Sequence, residues 1–99
     1  MSSTRPSSAA QTMTLSFPNQ SRFYDATRDA VRFWGHDSAM EASFFVNADA
    51  LTRIKPDARS DEIGLLSAFD SNRKLIYATA AKVYERGRRG SYDLVAADF

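Results

Sequence analysis

Arg73 is the residue whose placement most invites chemistry. At helical spacing it lies in the middle of an apolar stripe with Phe69, Ile76, Tyr77 and Ala80, where a full charge is costly unless paired. Three readings are open. Its stem covers apolar surface while the guanidinium reaches water, it forms a structural ion pair, or it binds an anionic ligand. The ion pair is the expectation, with Asp98 or Asp25 as partner, because both fall near chain ends of the layer that the helix covers. His36 is the only histidine, which rules out multi-histidine metal sites and leaves one candidate for acid–base work near neutral pH. It adjoins Asp37 where a hairpin tip is expected, and such neighbours more often bond locally than act as a catalytic pair. No serine stands in a recognisable nucleophile motif. Asp25, Asp29, Asp37 and Glu41 lack ligand-loop spacing, so a solvated surface is their default and no metal or cofactor is expected.

Two further groups of residues concern binding. From Arg73 to Gly90 the six bases Arg73, Lys74, Lys82, Arg86, Arg88 and Arg89 face Glu85 alone, whereas Asp25 to Asn72 carry nine acids and five bases. This asymmetry offers a basic patch at Lys82, Arg86, Arg88 and Arg89 that could meet nucleic acid. Yet Lys74, Lys82 and Arg86 fall on the outer side of a helix, where charge is ordinary, and no RNP-type aromatic motif accompanies them. Trp34 and Phe45, with Arg32, form the other group. If Val31, Phe33, Phe44 and Val46 face the helices, strand alternation puts Trp34 and Phe45 on the opposite side of the sheet. Either the chain's own segments cover them, or they form an interaction patch, and a symmetric dimer could bury that patch without another partner.

The elements that must position these groups follow from periodicity. In Asp61–Gly87, residues Leu65, Leu66, Phe69, Ile76, Tyr77, Ala80, Val83 and Tyr84 share roughly a third of a helical wheel. One long helix is predicted, with Asp70-Ser71-Asn72 as the place where it can bend, Ser60 as its amino-terminal cap and Gly87 as its stop. Ahead of it, alternation predicts a short edge strand over 14–17 and a hairpin of strands over 30–36 and 40–47. Residues 23–25 are expected in a connection. Asn47 is placed to cap a short helix that Pro56 ends. Alternation at 91–96 predicts a last strand.

The fold class expected is α+β: a small, mainly antiparallel sheet of about four strands with one short and one long helix packed on one face. Ninety-nine residues suit one such domain, over 13–99, and the small polar residues of 1–12 predict a disordered lead without the apolar run of a secretory signal. The formal charge of +1 gives no general attraction to polyanions, and with no cysteine there is neither disulfide nor thiolate chemistry. No apolar run approaches the roughly 20 residues of a membrane span, so a soluble chain is expected.

The motif Val31-x-Phe33-x-Gly35-x-Asp37, followed by Phe69-x-x-x-Arg73-x-x-Ile76-x-x-x-Ala80-x-x-x-Tyr84 and the closing Asp98-Phe99, resembles the small bacterial family known as domain of unknown function 1488. The resemblance covers Met13 to Phe99. It implies a bacterial cytoplasmic setting and a small α+β domain, and carries over no catalytic residue. The function expected is therefore a non-enzymatic interaction or regulatory module that meets a protein partner or a second copy. Nucleic-acid binding through the Lys82–Arg89 end is the second reading, and a small-molecule enzyme the third.

Overall fold

The computed structural model describes residues 15–38, 40–87 and 89–99; the proposed lead over 1–12 lies outside them. In chain order they form β1 (Leu15–Ser16), β2 (Arg22–Asp25), β3 (Ala30–Asp37), β4 (Met40–Asn47), α1 (Ala48–Ile54), α2 (Glu62–Ser71), α3 (Arg73–Glu85), β5 (Ser91–Leu94) and a 3-10 turn at Ala96–Asp98. The five strands make one sheet. β3 pairs antiparallel with β4 along its whole length, from Ala30 opposite Asn47 to Asp37 opposite Met40. The other side of β3 is shared by β2, which pairs with its first half, and β1, which pairs with its end. β5 lies parallel to β4 at the far edge, as the three intervening helices require of a crossover back to the sheet. The fold is the expected α+β class, with one strand and one helix more than periodicity indicated.

Alternation in the central strands decides what faces the helices. Val31, Phe33, Phe44 and Val46 are buried beneath Ala50 and Leu51 of α1, Leu65, Ala68 and Phe69 of α2, and Ile76, Ala80 and Tyr84 of α3, while Tyr92 and Leu94 extend this core into β5. Phe33, Phe44, Phe69 and Tyr92 form a chain of ring contacts 5.0–5.3 Å apart between centroids. At Gly35 an added Cβ would approach the Phe17 ring at 2.9 Å and Leu15 at 3.0 Å, so the missing side chain makes room for residues from β1 and just beyond it. Phe17 then stacks on Tyr77 of α3 at 4.2 Å.

Three local expectations change. The long helix is two helices broken at Asn72 (φ −127°, ψ 27°), which ends α2 and begins α3. Its side-chain amide donates to the Ala68 carbonyl and its N–H to the Phe69 carbonyl, so the Asp70-Ser71-Asn72 cluster does compete for backbone groups. The apolar stripe stays in phase because both halves pack on one sheet. The amino-terminal cap is Asp61, not Ser60: its carboxylate accepts from the Gly64 N–H at 2.8 Å. Residues 22–25 are a strand and not a connection, since β3 offers its unpaired first half as an edge. The cap at Asn47 is as read, accepting from the Ala50 N–H at 2.8 Å.

Candidate interaction face

Among the described residues, the helices cover one side of the sheet and the other side carries side chains alone. Across its middle, cross-strand register aligns Phe23, Arg32, Phe45 and Asp93 in one row, from β2 to β5. The next row holds Trp34, Ser43 and Ser91, and beyond it stand Ser16, His36 and Glu41. Phe45 is only 6% exposed, yet it does not belong to the helix-facing core. The Arg28 guanidinium lies 4.1 Å from the centre of its ring and is held there by Asp93 at 3.4 Å. Arg32 lies between Trp34 and Phe45, at 5.0 and 5.4 Å from their ring centres, and donates to the Ser43 hydroxyl at 3.1 Å.

This is a ladder of planar cations and aromatic rings, with Trp34 half-buried and Phe23 left 60% exposed at one end of its central row. The ladder is not saturated: Nε of Arg32 is buried without a hydrogen-bond partner among the described residues. His36 shares this face. It lies 3.9 Å from Glu41, its cross-strand neighbour, whereas Asp37 points through the sheet and accepts from the Tyr84 hydroxyl at 2.7 Å. The pleat therefore sends His36 and Asp37 to opposite faces, and they form no acid–base pair.

Arg73 has a carboxylate partner, but it is neither Asp98 nor Asp25. Its guanidinium bonds Asp70 at 2.8 Å, the Tyr77 hydroxyl at 2.7 Å and the Gln20 carbonyl at 2.9 Å, and lies over the Phe69 ring. Asp70 receives two further bonds from Arg22 of β2, at 3.1 and 2.9 Å. Hydrogen bonding and charge from Arg22, together with Arg73, hold the Asp70 carboxyl below its ordinary value, against a smaller effect of desolvation. Asp70 stands three residues before Arg73, across the break between α2 and α3, so the partner is local in the chain. The cluster ties β2 to the break between α2 and α3 and leaves the Arg73 side chain 21% exposed, a structural clamp whose donors are engaged. Asp98 goes instead to Arg86 at 3.3 Å and to the Val95 N–H, and Asp25 accepts from the Arg28 N–H.

At the basic end, Arg86 and Arg89 line a recess of about 140 Å³ together with Val83, Gly87, Tyr92, Asp93 and Asp98. Two carboxylates thus enter the patch that the sequence presents as purely basic, and the Tyr92 hydroxyl accepts from the Arg89 N–H at 2.7 Å. Lys82 stands exposed on α3; Arg88 lies outside the described residues. No group of histidine and carboxylate side chains able to hold a metal ion occurs among the described residues.

Most residues that carry the family resemblance meet in one place. Val31 and Phe33 share one core with Phe69, Ile76 and Ala80, Gly35 makes room for Leu15 and Phe17, Asp37 bonds Tyr84, and Arg73 clamps the helix break. They specify how helices sit on the sheet, and Arg32, Trp34 and Phe45 on the opposite face are not among them. No curated protein matches the chain. A crystal structure of a protein of unknown function from the DUF1488 family of Shewanella loihica PV-4 superposes with a TM-score of 0.72 at 19% identity, over 82% of this chain and 91% of that one, which establishes a shared fold. The family model described as "Protein of unknown function (DUF1488)" matches residues 15–95, spanning every described strand and helix but the closing turn, and the chain belongs to that family.

Proposed function

We propose that this protein is a non-enzymatic interaction or regulatory module of the bacterial cytoplasm, with the outer face of its sheet as the contact surface. The observation that carries the reading is the guanidinium–aromatic ladder of Arg28, Phe45, Arg32 and Trp34 on the sheet face opposite the described helices. Aromatic and arginine side chains are the residue types that dominate protein contacts, because they bury large area at low entropic cost and still offer directional donors. The exposed Phe23 and the Arg32 Nε, which has no hydrogen-bond partner among the described residues, add apolar surface and a donor that a partner could use. The helical side supports the reading less. Its exposed apolar residues, Ile63 and Leu75, stand without a comparable aromatic cluster. The nucleic-acid reading of the basic end loses support because Asp93 and Asp98 line the same recess and would repel phosphate.

A photo-crosslinking residue in place of Trp34, compared with one in place of Leu75, tests the assignment in living cells. Protein adducts are expected from the first position and not from the second. Equal labelling, or labelling from the helical position alone, would remove the sheet face from consideration.

A further inference from the structure

Resting on that reading of the sheet face, we infer that its occupant is a second copy of this chain, related by a two-fold axis and packed sheet against sheet. The argument is charge. The face carries Arg28 and Arg32, but also Asp93, Glu41 and the outward Asp25, so cations and carboxylates are interleaved within a few strand spacings. A polyanion laid across it would meet those carboxylates. A strongly acidic or strongly basic protein would meet like charge over half of the contact. A face holding both signs is, by contrast, complementary to itself once turned by 180°, since residues of one kind on one copy can be brought against residues of the other kind on its partner. The apolar content has the same property: Trp34 and Phe23 of one copy and those of its partner would be withdrawn from water together.

Size sets the strength. Two eight-residue and two four-residue strands, at about 3.3 Å per residue and about 4.8 Å between strands, present on the order of 400 Å² before side-chain relief. That is well below the roughly 800 Å² per partner of a standard stable interface. The dimer is therefore weak, with dissociation in the micromolar range or above, and its population follows the protein's concentration.

Sedimentation equilibrium of the full chain over a concentration series tests this, with three variants. Trp34→Ser should weaken association about tenfold or more. Asp93→Arg combined with Glu41→Lys leaves Asp25 as the one carboxylate among these groups and makes the face predominantly cationic, and Arg28→Asp leaves Arg32 as the one arginine among them and makes it predominantly anionic, so each alone should stay monomeric across the range in which the wild type dimerises. Mixed in equal amounts, those two should form a heterodimer, an outcome that damage to either fold would not produce. Circular dichroism identifies a variant that has failed to fold; Ser43→Arg combined with Glu41→Lys, and Ser43→Asp alone, also on the outer face, then replace the pair. A wild type that remains monomeric to millimolar concentration overturns the inference, as does a mixture that fails to associate. If the wild type is monomeric and position 34 still crosslinks a different protein, the contact surface stands and only the second copy falls. Salt-sensitive retention of a short single-stranded oligonucleotide, lost in Trp34→Ser, would overturn both.

Discussion

Gly64 occupies the third position of α2, where its N–H reaches back to the Asp61 cap, and a Cβ built there would overlap the Arg59 carbonyl. Backbone cannot swing aside as a side-chain tip can. Gly64→Ala should therefore cost about 1–3 kcal/mol by overpacking, despite the better helix propensity of alanine, and urea unfolding would show it as a lower midpoint with an unchanged slope. An equal or higher midpoint would mean that the loop ahead of α2 yields freely. Arg73 supports a comparable prediction. Arg73→Ala removes bonds to Asp70, Tyr77 and Gln20 at once, but the site is partly open to water, so the expected loss is about 1–3 kcal/mol and not the larger cost of a fully buried pair. Unfolding within error of the wild type would show that solvent replaces the clamp.

At the scale of elements, Asp70 joins three of them. It sits in the last turn of α2, bonds Arg73 at the start of α3, and accepts both donors of the Arg22 fork from β2. A carboxyl whose folded-state value lies below its unfolded one contributes stability that is fully present above the unfolded value and is lost as pH falls through the folded value. The stability difference between the wild type and Asp70→Asn should thus be constant above about pH 5 and shrink as pH drops below about 4. Chemical denaturation at several pH values measures it. A difference independent of pH would assign the effect to packing and not to charge.

For the whole molecule, β3 and β4 are the longest strands, carry the most buried residues and are paired on both sides, whereas β1 and β5 are short and lie at the two edges. Native-state amide exchange should accordingly be slowest in the middle of β3 and β4, at Val31, Phe33, Phe44 and Val46, and faster in β5. Its parallel pairing with β4 also closes a long loop through three helices, so β5 is expected to join the sheet late in folding. Protection in β5 equal to that in β4 would contradict this order. The described helices all pack on one face of this sheet, and any partner that docks on the other should raise protection in β3 and β4 without altering α3.

Periodicity alone determined that this chain is α+β, that Val31, Phe33, Phe44 and Val46 face inward, and that Asn47 caps a helix, because those features depend on spacing and on neighbours within a few residues. The break at Asn72 was visible as a polar cluster, but its outcome depended on whether packing on the sheet would override local hydrogen bonding, and it did not. β2 escaped because a four-residue strand is defined by the edge it joins. Spacing led to the expectation of an ion pair at Arg73, and the choice of Asp70 over Asp98 or Asp25 came from geometry across the helix break together with Arg22, forty-eight residues from Asp70 in the chain. Alternation placed Trp34 and Phe45 on the outer face. Only the tertiary structure put Arg28 over Phe45 and anchored it to Asp93, sixty-five residues on, because cation–aromatic contacts between distant segments leave no period in a sequence.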